Sequence, residues 1–222
     1  MTVLVAAKGG DGVIYVASDT LVTSEDGLKT GYRKKFTWGP KGRLIATAGY
    51  MRANNIINVV PEVFDVPDNT APDLDAFMTA ENIARTLFEH GYARGSNNSG
   101  NAEPTVLSSE ILYVTQGQIY EIDDSLSYDS YQTHTALGSG GKVALGALQA
   151  LKAEHPLRKV LTAAEAAITY DNSCGGPIDL NIITPSSLTE KKADAFIKRA
   201  FKEAGLKDYD QTEVTVYLRS FT

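Results

Sequence analysis

The stretch Thr2-Val-Leu-Val-Ala-Ala-Lys8, Gly9-Gly-Asp-Gly12, Val13-Ile-Tyr-Val-Ala-Ser18 decides the fold of this chain. Two β-rich runs on either side of a glycine cluster predict a β-hairpin, and its first strand begins at residue 2. Residues 35–38 and 43–48 form a second strand pair across the turn at 39–42. The first fifty residues are therefore predicted to be nearly all sheet.

The apolar pattern changes its period after residue 50. Spacing of three to four residues predicts helices at 53–60 and 73–90. The remaining predicted elements are strands at 110–114, 118–122 and 132–137, helices at 142–154 and 162–170, a strand at 178–184, a helix at 189–204 and a strand at 213–218. Because strands and helices come in separate blocks, the sequence indicates an α+β fold, and we expect residues 1–222 to form one domain.

Composition excludes several classes of protein. The chain has 222 residues, of which 43% are hydrophobic, and a formal net charge of −6, which argues against a nucleic-acid partner. No apolar run is long enough to span a membrane and no leader precedes the first strand, so we expect a cytoplasmic protein. The single cysteine, Cys174, cannot form an internal disulfide.

The sequence does not match several familiar functional motifs. The segment Gly138-Ser-Gly-Gly-Lys142 lacks both the earlier glycine and the following Ser or Thr of a phosphate-binding loop. The three histidines lie far apart without metal-ligand spacing, and there is no GxSxG elbow. Cys174 fits a small buried residue better than a nucleophile. We expect neither a metal nor an organic cofactor.

Thr2 is the informative residue. If Met1 were removed, Thr2 would carry a hydroxyl nucleophile and a free α-amine, whose pKa of about 7.7–8.0 suits a base near neutral pH. Many proteins begin with Met-Thr, so this feature alone favours an ordinary chain start.

The motifs around Thr2 change that balance. They are Ala17-Ser-Asp-Thr20, Gly31-Tyr-Arg-Lys-Lys35, Ala46-Thr-Ala-Gly49, Leu137-Gly-Ser-Gly-Gly141 and Asp171-Asn-Ser-Cys-Gly-Gly176. In this order and spacing the chain resembles the proteasome β-subunit family and its bacterial relative HslV, strongly over residues 2–60 and again over 135–184. These proteins are N-terminal nucleophile (Ntn) hydrolases.

The resemblance implies a role for individual residues. It implies a catalytic set of Thr2 as nucleophile, Asp19 and Lys35 beside its hydroxyl, Gly49 as oxyanion donor, and Ser139 and Asp171 near the amine. Thr23 matches a threonine that binds the substrate main chain as an added strand. By position, Val22, Thr47 and Met51 are expected to form the walls of the substrate pocket.

The chain departs from the family pattern at two positions. Cys174 replaces a serine three residues after Asp171, although Ser173 lies beside it. Leu21 stands where proteasome subunits often have arginine. Both departures concern the surroundings of the nucleophile and not the nucleophile itself.

The resemblance implies a four-layer αββα sandwich of two antiparallel sheets flanked by helices. It implies hydrolysis of peptide bonds in peptides or unfolded proteins, through an acyl ester on Thr2, inside a homo-oligomeric ring. HslV-like proteins work with an ATP-driven AAA+ unfoldase, and the sequence leaves such a partner open. Two alternatives remain: a non-catalytic ring or scaffold subunit, and a small-molecule amidohydrolase. We expect active protein to begin at Thr2, because a Met1–Thr2 amide cannot act as a base.

Overall fold

The computed structural model describes residues 2–24, 28–92, 109–206 and 214–221. Strands and helices occur in separate blocks, so the predicted α+β class is confirmed. The strands are β1 (Leu4–Lys8), β2 (Ile14–Asp19), β3 (Leu21–Thr23), β4 (Lys29–Tyr32), β5 (Phe36–Trp38), β6 (Leu44–Gly49), β7 (Ser109–Thr115), β8 (Gln118–Ile122), β9 (Tyr128–Tyr131), β10 (His134–Leu137), β11 (Ile178–Thr184) and β12 (Val214–Ser220). The α-helices are α1 (Met51–Val59), α2 (Pro72–Glu89), α3 (Gly141–Ala150), α4 (Pro156–Tyr170) and α5 (Glu190–Glu203), with short 3-10 turns at Pro40–Gly42 and Pro61–Phe64.

The hairpin predicted at the start of the chain is present. β1 and β2 pair antiparallel, with Leu4 opposite Ser18 and Lys8 opposite Ile14. The turn closes through a hydrogen bond from the Gly9 N–H to the Val13 carbonyl at 2.8 Å. Gly12 adopts a φ of 80°, a region that glycine enters without steric cost.

The first sheet has the strand order β10–β1–β2–β11–β12. Adjacent strands of this sheet are antiparallel, except that β11 and β12 run parallel, with Ile178 opposite Val214. The expectation of two purely antiparallel sheets is wrong at this point. Because α5 lies between β11 and β12 in the sequence, the chain crosses over and returns in the same direction.

The second sheet has the order β5–β6–β7–β8–β9 and is antiparallel throughout. A separate two-stranded ribbon pairs β3 with β4, two strands that were not among the predicted elements. β4 is exposed along its whole length and lacks the apolar alternation by which a strand is normally detected.

Helix α4 begins at Pro156, six residues before its predicted start. Proline is well suited to the first turn of a helix, and the His155 ring nitrogen accepts a hydrogen bond from the Leu157 N–H at 3.2 Å. The sequence pattern missed this capping because histidine is not a usual N-cap residue.

Three apolar clusters hold these elements together. One packs α3, α4 and α5 against the first sheet, a second packs α1 and α2 against the second sheet, and a third lies between residues of the two sheets. The first cluster includes Leu148, Val160 and Leu180. The second includes Ile57, Ile83 and Ile111, and the third includes Leu4, Ala46 and Leu112.

A buried ion pair ties α2 to the second sheet. The Arg43 guanidinium donates to Asp75 Oδ2 at 2.7 and 3.1 Å, and the Tyr113 hydroxyl donates to Asp75 Oδ1. Asp75 is fully buried, so these donors replace the water that its carboxylate would otherwise bind.

Among the residues that the structure describes, no helix is long and apolar enough to cross a membrane.

Candidate active site

Thr2 lies two residues before the start of β1, an interior strand of the first sheet, and only 3% of its surface is exposed. Its backbone nitrogen donates to Ser139 Oγ at 3.2 Å, and its carbonyl accepts from the Gly140 N–H at 3.3 Å. Gly138 approaches so closely that a Cβ there would lie 2.2 Å from the Thr2 carbonyl oxygen. The loop before α3 therefore encloses the Thr2 backbone.

Asp19 and Lys35 form a second buried feature beside the chain start. Lys35 Nζ lies 2.6 Å from Asp19 Oδ1. The same carboxylate accepts from the Val3 N–H at 2.9 Å and from the Gly175 N–H at 3.1 Å. Asp19 therefore links the residue after Thr2, the lysine and the loop that follows α4.

Burial acts on both charges of this pair. Desolvation lowers the pKa of the Lys35 ammonium against the opposing charge and hydrogen bond of Asp19. Desolvation also raises the pKa of the Asp19 carboxyl, against the hydrogen bonds from Lys35, Val3 and Gly175. Desolvation thus shifts the two pKa values toward one another, while the ion pair and its hydrogen bonds oppose the shift.

A third cluster joins Ser139, Asp171 and Cys174. The Cys174 thiol donates to Asp171 Oδ2 at 3.6 Å and lies 3.9 Å from Ser139 Oγ. Desolvation raises the pKa of the Cys174 thiol to about 12, with the nearby Asp19 and Asp171 charges adding to it, so the sulfur stays protonated. Desolvation would raise the pKa of Asp171, but hydrogen bonds from Ser173, Ser139 and Cys174 outweigh it and lower that pKa.

A cleft of about 1230 Å³ opens at these residues. Thr2, Lys35, Gly49 and Ser139 all line it. Gly49 ends β6 with a φ of 146°, a conformation that favours glycine. Asp19 and Asp171 do not line the cleft but contact residues that do.

Three of the four predicted substrate-contacting residues line the same cleft: Val22, Thr23 and Met51. Thr47 does not. It is buried, and its hydroxyl donates to Asn54 Oδ1 at 3.1 Å. The alternation of side chains along β6 could not reveal this, because Asn54 comes from the following helix.

No pattern in the sequence pointed to Glu110. This residue of β7 lines the cleft, and its Oε2 accepts from the Gly138 N–H at 2.7 Å. Asp123 and Asp124 line the cleft as well. Nothing local to these residues signals a site, since they are brought to Thr2 only by the pairing of the second sheet. In the described part of the chain, no three His, Cys, Asp or Glu side chains are grouped so as to hold a metal ion.

Several solved structures have folds similar to that of this chain. The structure of Thiobacillus denitrificans BPH in complex with epoxomicin has a TM-score of 0.68 at 19% identity, over 83% of this chain and 100% of that chain. Eukaryotic HslV from Trypanosoma brucei has a TM-score of 0.59 at 16% identity, over 81% and 98%. Anbu (ancestral beta-subunit) from Yersinia bercovieri has a TM-score of 0.56 at 14% identity, over 81% and 80%.

These likenesses define the class of fold as the proteasome-like Ntn-hydrolase fold of HslV and Anbu. The resemblance to HslV inferred from the sequence is thereby confirmed at the level of the fold. No protein-family model and no curated protein matches this sequence.

Proposed function

We propose that this chain is an N-terminal threonine endopeptidase that hydrolyses peptide bonds through an acyl ester on Thr2. The observation that carries the proposal is the convergence of Thr2, Lys35, Gly49 and Ser139 on one cleft, with the Asp19–Lys35 pair buried beside it. A proteasome-like fold at 14–19% identity to solved structures supports it.

The nucleophile requires removal of Met1, which lies outside the described residues. Once the α-amine of Thr2 is free, its lone pair takes the proton of the Thr2 hydroxyl as the oxygen attacks the substrate carbonyl carbon. The tetrahedral oxyanion accepts a hydrogen bond from the Gly49 N–H. When the intermediate collapses, the protonated amine gives its proton to the leaving nitrogen. Water, deprotonated by the same amine, then hydrolyses the ester and restores the hydroxyl.

Lys35 and Asp19 assist at the hydroxyl. The Lys35 cation stabilises negative charge that develops on the Thr2 oxygen, and Asp19 fixes the ammonium at 2.6 Å. Because Asp19 also accepts a hydrogen bond from the Val3 N–H, it fixes the position of the Lys35 ammonium relative to Thr2.

Ser139 and Asp171 serve the amine. Ser139 Oγ lies 3.2 Å from the Thr2 nitrogen, and Asp171 in turn contacts Ser139. The hydroxyl orients the lone pair of the amine, and the ionised Asp171 orients the hydroxyl.

Substrate binding falls to the walls of the cleft. We assign main-chain pairing to Thr23, at the end of β3, and side-chain contact to Val22 and Met51. Thr47 acts only by holding Asn54, whose amide in turn donates to the Lys34 carbonyl at 3.1 Å.

The proposal extends to architecture and assembly. The three apolar clusters fit a four-layer αββα sandwich formed by one domain. The likeness to HslV supports a closed homo-oligomeric ring, and an AAA+ unfoldase remains a candidate partner.

The test compares protein that begins at Thr2 with protein that retains Met1, each identified by intact mass. We expect the trimmed form to cleave an unstructured protein such as casein, and the retained form and the trimmed Thr2→Ala variant to be inactive. Full activity from a population that entirely retains Met1 would falsify the mechanism. Cleavage of small amides but not of peptides would point to an amidohydrolase. Inactivity of the trimmed protein would point to a scaffold subunit.

A further inference from the structure

One face of the second sheet carries acidic side chains next to the cleft. Glu110 lies on β7, Glu121 on β8 and Asp129 on β9, and Asp123 and Asp124 directly follow β8. Because side chains alternate along a strand, Glu110 and Glu121 share the face of Leu112 and Ile119, which pack between the two sheets. We call these five residues the acidic wall.

The strand register sets these like charges opposite one another. Glu121 is the direct partner of Asp129 across β8 and β9. The pairing of Ile111 with Ile122 brings Glu110 beside Asp123 at the next position. Desolvation raises the pKa of Glu121, and the charges of Glu110, Asp129 and Asp123 raise it further against a hydrogen bond from Tyr131.

Such an arrangement costs stability. Like charges directly opposite each other destabilise a sheet. Among the described ion pairs of the chain, none involves a member of the acidic wall. Hydrogen bonds within the fold satisfy part of this cluster: Glu110 accepts from the Gly138 N–H, Glu121 from the Tyr131 hydroxyl, and Asp123 from Ser125 and Ser127. These neutral donors leave the negative charge of the acidic wall in place, where a cationic side chain in the cleft can meet it.

The wall belongs to the cleft that contains Thr2. Glu110, Asp123 and Asp124 line that cleft. Two basic side chains line it too, but Asp19 neutralises Lys35, and the Arg52 guanidinium donates to the His90 carbonyl at 3.1 Å. Three carboxylates therefore stand against the one guanidinium of Arg52, and the formal charge of this part of the cleft lining is negative.

We propose that the acidic wall selects substrate segments that carry lysine or arginine, which enter the cleft with their cationic side chains toward Asp123 and Asp124. This inference rests on the proposed peptidase function. In the described residues these carboxylates are not grouped so as to hold a metal ion. Carboxylates spread over three strands instead suit long, flexible cationic side chains, which reach them one at a time.

The first experiment measures kcat/KM for two peptides that differ only by lysine or glutamate near the cleaved bond, using protein that begins at Thr2. We expect the lysine peptide to be preferred and the preference to shrink at high ionic strength. Asp124→Asn should lower kcat/KM for the lysine peptide by about two- to fivefold, the size expected for one exposed ion pair. Asp124→Lys should reverse the preference.

The matched control is Asp194→Asn, which removes one exposed carboxylate on α5, away from the cleft. It changes the net charge by the same amount, so a preference that depends on total charge would fall in both variants. An equal effect of Asp194→Asn and Asp124→Asn would overturn the inference.

The second experiment separates this inference from the proposed function. Fluorescence anisotropy measures binding of the same two peptides, each labelled, to the Thr2→Ala variant, where no turnover is needed. Tighter binding of the lysine peptide, lost in Thr2→Ala/Asp124→Lys, supports the wall even if the wild type proves inactive. Equal affinities overturn it. A change in elution volume on Asp124→Lys without a change in peptide preference would also overturn it, because the wall would then face another copy of the chain.

Discussion

Adjacent lysines in this chain meet opposite environments. Lys35 is buried against Asp19, whereas Lys34 is exposed and lies over the Tyr217 ring at 4.4 Å. The alternation of an extended chain at 34–35 places the two side chains on opposite faces. The pair therefore offers a matched comparison within one motif.

We expect Lys35→Ala to lower peptide hydrolysis by about 10²–10³-fold, the range for losing one electrostatic stabiliser of a transition state. Lys35→Arg should not rescue it, because a planar guanidinium does not fit a buried ammonium site. Lys34→Ala should leave turnover nearly unchanged. Steady-state rates of the three variants, with circular dichroism as a folding control, check this. Equal losses at both lysines would contradict the assignment.

The lowered pKa of Asp171 predicts a pH-dependent contribution to stability. A carboxyl whose pKa is lower in the folded than in the unfolded state stabilises the fold above its unfolded pKa, near 3.8. That contribution is lost as the pH falls through the folded value. Asp171→Asn should therefore lower Tm at pH 7, and the difference from the wild type should shrink below about pH 4. Thermal unfolding of both proteins from pH 3 to pH 8 measures it, and a constant difference would argue against it.

At the scale of elements, the loop before α3 makes the closest approach to Thr2. A methyl group at Gly138 would lie 2.2 Å from the Thr2 carbonyl oxygen, and Gly138 has a φ of 86°. Backbone atoms cannot yield as a flexible side chain can, so an added Cβ must displace either the loop or the chain start.

We expect Gly138→Ala to lower both Tm and peptide hydrolysis, the latter by about 10²-fold if the nucleophile moves by roughly 1 Å. Gly146→Ala is the control. Gly146 lies inside α3 with open space where a Cβ would stand, so this change should raise stability by about 0.5–1 kcal/mol and leave turnover unchanged. An active Gly138→Ala protein would show that the loop does not position Thr2.

Only those parts of the candidate site that depend on local pattern could be predicted from the sequence. Thr2, Asp19, Lys35 and Gly49 lie at the ends of strands or just beside them, so strand boundaries alone bring them near one edge. Parallel pairing of β12 could not be predicted, because strand patterns carry no direction. Thr47 is kept out of the cleft lining by its hydrogen bond to one side chain of α1, and the acidic wall depends on the register of three strands. Neither feature can be recognised from a local sequence motif.

At the scale of the whole molecule, several large apolar side chains remain exposed. Leu74, Phe77 and Phe88 on α2 are each about half exposed or more. A ring would cover surfaces of this kind. We expect the purified chain to elute far above its mass of 23.9 kDa and native mass spectrometry to show a single closed oligomer. A stable monomer that still cleaves peptides would contradict the ring but not the chemistry.

The interior position of β1, between β10 and β2, has a consequence for the timing of synthesis. β1 pairs with β2, its neighbour in sequence, and with β10, which is made more than a hundred residues later. Ser139 and Asp171 follow Thr2 from the ribosome by roughly 7–34 s at ordinary rates of about 5–20 residues per second. If Thr2 is the nucleophile, as we propose, the first residues to be translated are the last to become reactive. A growing chain would then carry its nucleophile without the residues that activate it, so we expect neighbouring nascent proteins to escape cleavage until translation is nearly complete.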